Sequence, residues 1–465
     1  MPLNVDRDLL ARVLRRASPD GPYAEIFLEH CARAAATLEE GAVQEPSCGI
    51  TLGAGLRTFG PLAPQLIHLD DPDEERLLQV ADRLRLEEPE KHPGPPQPGS
   101  AAGRRIEIEP AAEEEQLLPA GLSSALAQVE RGALDADPRV LSARVEYEAW
   151  RQEILVFHGE GRLAEDTRTV VRLRVCAAAR DGNRVEEGVA AVSCPDPSDL
   201  FSTLSTLELG RRAGESAITR LEAKPCPSGE MPVLFANRCG AALFHEALGH
   251  PLEADFLLRG ESPYAGMMNE PVASALIHVA DDPTLPGRRG SYRVDDEGAP
   301  AQRTVLVEHG ILRNVLTDRA TSEALGLPRT ANGRRASYRD APMPRMSNLV
   351  VEGWKDDPED ILRSTKEGLY VVELGAARVS FPGGDFVFEV AEGYLIRDGR
   401  LDCPVEGAVL TGRGPDVLRR IDRVGSDFLL DPGAGYCDKE GQRVPVSLGQ
   451  PTLRVARMAV QGTTT

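Results

Sequence analysis

The chain has 465 residues, of which 41% are hydrophobic and 27% charged, with a net charge of −20 and a sequence pI near 5.0. This is the composition of a soluble globular protein long enough for two or three domains, and its acidity argues against a broad phosphate-binding face, so no direct nucleic-acid partner is expected. No apolar run approaches the ~20 residues that cross a bilayer, and the N-terminus lacks a signal-peptide core, so a cytoplasmic location without a membrane partner is expected. The eight cysteines show no paired spacing, which predicts free thiols buried as small hydrophobes.

In chain order, Leu9, Leu10, Val13 and Leu14 form one stripe of a short amphipathic helix. The run from Tyr23 to Glu29 reads as a strand, as do the glycine-punctuated residues 48–60. Gly53-Ala54-Gly55 within them lacks the full dinucleotide-binding fingerprint and is expected to form a hairpin turn. Residues 73–87 read as an amphipathic helix with acidic residues in its first turn. Residues 87–118, rich in Pro, Gly and Glu, read as a long exposed connection. The alternating runs between Arg144 and Ala191 predict antiparallel strands, and a helix follows over 200–223. The Pro- and Gly-containing stretch 223–230 marks a boundary, giving domains 1–228 and 229–465. Met231–Ala236 reads as a strand, Asn237 as the N-cap of the next helix, and most of the remainder as strands. The fold class expected is α+β: a mixed α/β N-terminal domain and a strand-rich, largely antiparallel C-terminal domain carrying a metal-binding helix.

That helix contains Phe244-His245-Glu246-Ala247-Leu248-Gly249-His250. Zinc-protease helices place two histidines four apart, on one face, with a glutamate beside them as general base. Here they are five apart, and on a regular helix their rings would diverge by roughly 140°. Gly249 tolerates unusual backbone angles, and Pro251 pushes His250 out of the regular helix. A single π-type bulge would absorb the extra residue. The structural alternative is a helix end capped by a histidine. Metal binding needs a third ligand. Glu253 and Asp255 could ligate or orient a histidine from behind, and His278 and His309 sit in strand or turn contexts. Cys437 lies in a glycine-dense turn with Lys439 nearby to favour a thiolate.

Several separate blocks then point to one family. Phe244–Phe256, Val294–Leu312, Thr330–Asn348 with its Asn-Gly-Arg-Arg and Pro-Met-Pro-Arg-Met runs, and Gly435–Val455 together resemble the TldD-type branch of the TldD/PmbA metallopeptidases, also described as modulators of DNA gyrase. The likeness spans nearly the whole chain and is weakest over 87–118. It implies one zinc ion per chain, Zn2+ held by His245, His250 and Cys437, with Glu246 as base. It also implies peptide substrates such as antibiotic precursors and antitoxins, and a two-subunit assembly, either a homodimer or a heterodimer with a PmbA/TldE-like paralogue. Metal-assisted amide hydrolysis is the reaction expected, with Arg334, Arg335, Ser337, Tyr338 and Arg345 as candidates for substrate contact, or equally for interdomain contact. An extended peptide could bind by adding a strand to a sheet edge. The alternative is a non-catalytic partner or modulator subunit acting by protein binding.

Overall fold

A computed structural model describes residues 5–18, 23–44, 46–59, 64–86, 117–197, 205–380, 383–431 and 435–462. The expected connection at 87–118 lies outside them except for its last two residues. There Leu117 is already buried, and its carbonyl accepts a 2.5 Å bond from the Tyr147 hydroxyl, so the chain re-enters the core before the expected exposed stretch ends.

The first half builds one seven-stranded antiparallel sheet. Its order is Pro64–Asp70, Ser47–Phe59, Ala24–Glu39, Val140–His158, Leu163–Asp181 and Arg184–Cys194, with Ala42–Val43 paired to the end of Ala24–Glu39. Side chains alternate across a strand, and the long strand Ala24–Glu39 uses both faces. Its even-numbered residues Ile26, Leu28, Ala32 and Ala34 pack under four helices: Arg7–Ala17 and Glu74–Leu86 over one end of the sheet, Leu122–Leu134 and Thr206–Leu221 over the other. The expected stripe of Leu9, Leu10, Val13 and Leu14 is the buried face of the first helix.

The odd-numbered residues Glu25, Phe27 and Glu29 face the second half of the chain, which is strand-rich and mostly antiparallel. Five of its strands close into a ring: Glu367–Ser380, Gly229–Phe235, Leu453–Gln461, Val409–Arg413 and Asp385–Arg397, the last pairing back to the first. A separate six-stranded sheet contains Val279–Asp281, Asn348–Val351 and Ser447–Gln450. The pairs Gly229–Phe235 with Glu367–Ser380, and Asn348–Val351 with Ser447–Gln450, are parallel. All eight cysteines are free thiols.

The two halves meet through buried charge. Arg335 donates to Glu25 at 2.8 Å, both side chains fully buried. Arg57 pairs with Glu297 and Arg168 with Asp296, each at 2.7 Å, and the Tyr338 backbone N–H reaches Glu29 at 2.7 Å. Gly53 and Gly55 belong to this contact and not to the expected hairpin turn. They lie in the middle of Ser47–Phe59, hydrogen-bonded on both sides. A Cβ on Gly53 would fall 2.1 Å from the Tyr338 ring, and one on Gly55 2.6 Å from the Tyr338 carbonyl oxygen. The glycines are there for close approach.

His158 ends its strand at the same seam, bonded to the Tyr23 hydroxyl and backed by Gly298 of the other half. Burial pushes its pKa down to about 4. The unfolded chain therefore takes up this proton near pH 6.5 and the folded chain only near pH 4, so stability falls as pH drops through that window. The wild type should lose about 1–3 kcal/mol from this group between pH 7 and pH 4. Urea titrations of His158→Gln should lack that component, and an unchanged pH slope in the variant would refute the assignment.

Candidate metal centre

The motif helix does not start where the sequence suggested. Asn237 lies inside a single 3-10 turn, its side-chain N–H donating to the Asp427 carbonyl at 2.9 Å, and the cap positions of this turn and of the helix are Ala236 and Ala241. Gly240 and Ala241 follow with left-handed backbone, and Ala242–Phe244 begins the helix. The next turn is widened: the His250 N–H bonds back to the His245 carbonyl, an i→i+5 closure spanning His245–Gly249, and His250–Leu252 then tightens into a 3-10 turn. This is the π-type bulge expected from the spacing. The two imidazoles lie 4.7 Å apart between centroids, at 79° to one another. Gly249 itself has ordinary helical angles. Its lack of a side chain matters because a Cβ would stand 2.1 Å from Met346 Sδ.

Cys437 arrives from the other end of the chain on the hairpin Tyr436–Lys439/Gln442–Pro445. Its Sγ lies 3.5 Å from His250 Nε2, and one ligand atom from each of His245, His250 and Cys437 falls within 4.8 Å of the others. All three residues are buried. His250 Nδ1 is held by Glu253 at 3.0 Å, which directs Nε2 inward, while His245 Nδ1 is buried without a hydrogen-bond partner among the described residues. Burial opposes ionisation of Cys437, yet His250 and His245 hold its thiol well below the ordinary range. Burial likewise disfavours charge on His250, and Cys437 and Glu253 together raise its pKa well above the usual value. Two imidazoles and a thiolate-prone sulfur with an orphaned ring nitrogen fit a tetrahedral N/S-binding ion such as zinc.

Glu253 has no solvent exposure, and Lys439 Nζ lies 2.9 Å from it, 2.7 Å from Asp255 and 3.1 Å from the Pro344 carbonyl oxygen. Burial alone would raise the Glu253 pKa, but Lys439 and His250 bring it down to about 2. Lys439 thus serves the acidic pair, and the Cys437 thiol is governed by the histidines. The alternation of buried Cys437, exposed Asp438 and buried Lys439 puts the two on one face, a signal present in the sequence. Arg345, fully buried, donates to the carbonyls of Cys437 and Gln442. Arg334 donates to the carbonyls of Met346 and Pro445, and Ser337 to Asp340. Arg335 and Tyr338 are occupied at the seam between the halves. His278 stacks on Trp354 and His309 meets both rings edge-on, and neither joins the group of His245, His250 and Cys437.

Glu246 is half-buried and lines a cavity of about 770 Å³ together with His245, His250, Phe256 and Tyr436. A second cavity of about 880 Å³ lies between the N-terminal sheet and the segments 334–339 and 436–445, and Tyr436 lines both.

Comparison with known proteins places these features in a family. Residues 228–462 match the PmbA/TldA metallopeptidase C-terminal domain and residues 112–221 the corresponding central domain. A Haemophilus influenzae protein named metalloprotease TldD homolog is 32% identical over 451 residues, covering 95% of this chain and 93% of the relative. A Saccharolobus solfataricus protein named zinc metalloprotease TldD homolog is 29% identical, covering 66% of this chain and 69% of its own. The crystal structure of TldE from Thermococcus kodakarensis shares the fold with a TM-score of 0.77 at 21% identity, over 98% of this chain and all of that one. No helix among the described residues is long and apolar enough to cross a membrane.

Removing one partner of a buried ion pair strands the other charge. Lys439→Met should therefore destabilise the protein by about 3–5 kcal/mol in urea unfolding. Adding Glu253→Gln should recover part of that loss. Simple additivity of the two would show that the pair is not coupled.

Proposed function

The chain belongs to the PmbA/TldA metallopeptidase family, and within it we propose that this protein is a zinc-dependent peptidase hydrolysing unfolded or extended peptides. The observation that carries the proposal is the convergence of His245, His250 and Cys437, from opposite ends of the C-terminal half, beside a cavity that Glu246 also lines. In this reading the three residues hold one zinc ion per chain, and residues 229–465 form the catalytic domain against which 1–228 is set. The zinc named for the Saccharolobus relative supports the choice of metal. When bound, zinc supplies Lewis acidity, acidifying water and polarising a carbonyl oxygen.

The rest of the chemistry falls to the chain. Glu246, next to a proposed ligand and open to the cavity, takes a proton from water and hands it to the leaving amine. Glu253 keeps His250 in the tautomer that presents Nε2, and Lys439 keeps Glu253 charged. Arg345 fixes the backbone of Cys437. Asp255 acts only through Lys439 and Arg259. A TldE-like paralogue or a second copy of the chain is proposed as partner subunit, in keeping with the fold shared with TldE. A purely non-catalytic modulator would have no use for this donor set.

Mass spectrometry should find about one zinc per chain in the wild type and a large loss in His250→Ala and Cys437→Ala. Glu246→Gln should keep its zinc and lose about 10²–10⁴-fold in peptide cleavage. A wild type that holds no metal after zinc is supplied would sink the catalytic reading.

A further inference from the structure

The 880 Å³ cavity is out of character for so acidic a chain. Among the described residues, eight arginines and two glutamates line it, with no lysine or aspartate, although the net charge of the protein is −20. Some of these arginines are neutralised in place: Arg168 by Asp166 and Asp296, Arg335 by Glu25, Arg339 by Asp70, and Arg443 by Asp438. Others have no carboxylate among the described residues. Arg334 donates only to carbonyl oxygens, and Arg33 only to Cys31 Sγ at 3.5 Å. Arg289 stands out. It is 7% exposed, its polar neighbour is Tyr436, and none of its three guanidinium nitrogens makes a well-aligned hydrogen bond among the described residues.

A buried guanidinium whose donors are poorly met is costly, because its lost hydration is not fully replaced. The Arg289 guanidinium carbon lies over the Tyr436 ring, 4.3 Å from its centroid, and that of Arg443 over the same ring at 5.5 Å. A cation–π contact of this kind holds the guanidinium in place but leaves donors of its fork open for a ligand. The natural complement of that fork is a carboxylate, bound through two parallel hydrogen bonds. Arg172, on the facing strand of the N-terminal sheet, is tied only to the half-exposed Glu148 at 3.3 Å. Tyr436 is the wall shared with the cavity of His245, Glu246 and His250, and the next residue is Cys437.

We propose that this arginine-lined cavity is a carboxylate-binding subsite for the peptide substrate, anchored by Arg289 on Tyr436 and flanked by Arg172 and Arg443. It rests on the peptidase reading and deepens it: the preferred substrates are extended peptides that carry an acidic side chain or a free C-terminus a short distance from the cleaved bond. A polyanion is the weaker fit, since the cavity is concave and the chain carries a net charge of −20.

The test uses zinc-loaded Glu246→Gln, which should bind without turnover, and four fluorescein-labelled alanine- and serine-rich octapeptides. These carry either Glu or Gln at one internal position and end in either a free carboxylate or an amide. Fluorescence anisotropy should show the doubly neutral peptide binding about tenfold or more weakly than at least one peptide carrying a carboxylate. Which carboxylate matters identifies the source. Arg289→Gln in that background should bring the ratio to about one, with zinc content retained as proof of folding. Arg443→Gln, a change at a largely exposed side chain, should reduce the ratio part of the way. Equal affinity for all four peptides, or a preference that survives both substitutions, overturns the proposal. Displacement of the acidic peptide by a short single-stranded DNA, lost in Arg289→Gln, overturns the peptide assignment. Wild-type cleavage of the same four peptides separates the two readings. Cleavage without preference overturns the subsite alone, and preference without cleavage overturns the peptidase reading and leaves a carboxylate site.

Discussion

Glu253 is a carboxylate with no contact to water, and such a group survives in a folded interior only where opposite charge and hydrogen bonds surround it. Its two partners come from distant parts of the chain. His250 is three residues away, while Lys439 lies at the far end of the sequence on the strand that bears Cys437. One buried charge therefore sets residue 250 against residue 437. The imidazole is turned so that its free nitrogen faces the sulfur, and the hairpin cannot slide without breaking the lysine contact. Arg345 adds a second grip on the same hairpin through the Cys437 carbonyl. Buried ion pairs are poor sources of net stability but good sources of registry, and registry is what a three-residue donor set from separate elements requires.

The same physics recurs at the seam between the halves. The odd-numbered face of Ala24–Glu39 would be an ordinary solvated face in an isolated sheet. Here it is covered, so Glu25 and Glu29 must find partners, and they do so in Arg57, Arg335, Gln152 and the Tyr338 backbone. Charge complementarity fixes how the second half sits on the first. It also accounts for the arginine-lined cavity as what lies just beyond the satisfied pairs, where the guanidinium count exceeds the carboxylates available to meet it.

Local signals were the legible part of the sequence. The stripe of Leu9, Leu10, Val13 and Leu14, the alternating runs near residues 144–191 and the π-type accommodation between His245 and His250 all follow from periodicity and backbone chemistry within a few residues. What was illegible depended on contacts remote in sequence. Gly53 and Gly55 read as a turn because glycine usually marks one, whereas the requirement comes from the Tyr338 ring and carbonyl. In sequence Gly249 signals backbone freedom that it does not use; Met346 Sδ is the reason for it. Lys439 was noticed as a neighbour of Cys437, but its acidic partners belong to another element. The arginines at 334, 335 and 345 could not be sorted into catalytic and structural roles, since a buried guanidinium bonded to carbonyls and a substrate-facing one look alike in sequence. Cys437 itself gained its standing from family resemblance, not from spacing.

The five-residue spacing of the histidines has a further cost that the surrounding structure has to meet. Widening one turn and following it with Pro251, which has no N–H, deprives carbonyls in the motif of their usual helical donors. Buried carbonyls left this way would favour a return to regular helix, with the histidines splayed apart. Two side chains from the next segment supply the donors: the Tyr264 hydroxyl reaches the Ala247 carbonyl at 2.8 Å, and the Ser262 hydroxyl reaches that of Pro251 at 2.6 Å. Tyr264 is fully buried, its ring part of the core that surrounds the motif. The distinctive spacing and the Ser262–Tyr264 segment are thus two parts of one solution. A sequence with the extra residue but without those hydroxyls would hold the same letters in the motif and a poorer arrangement of the rings.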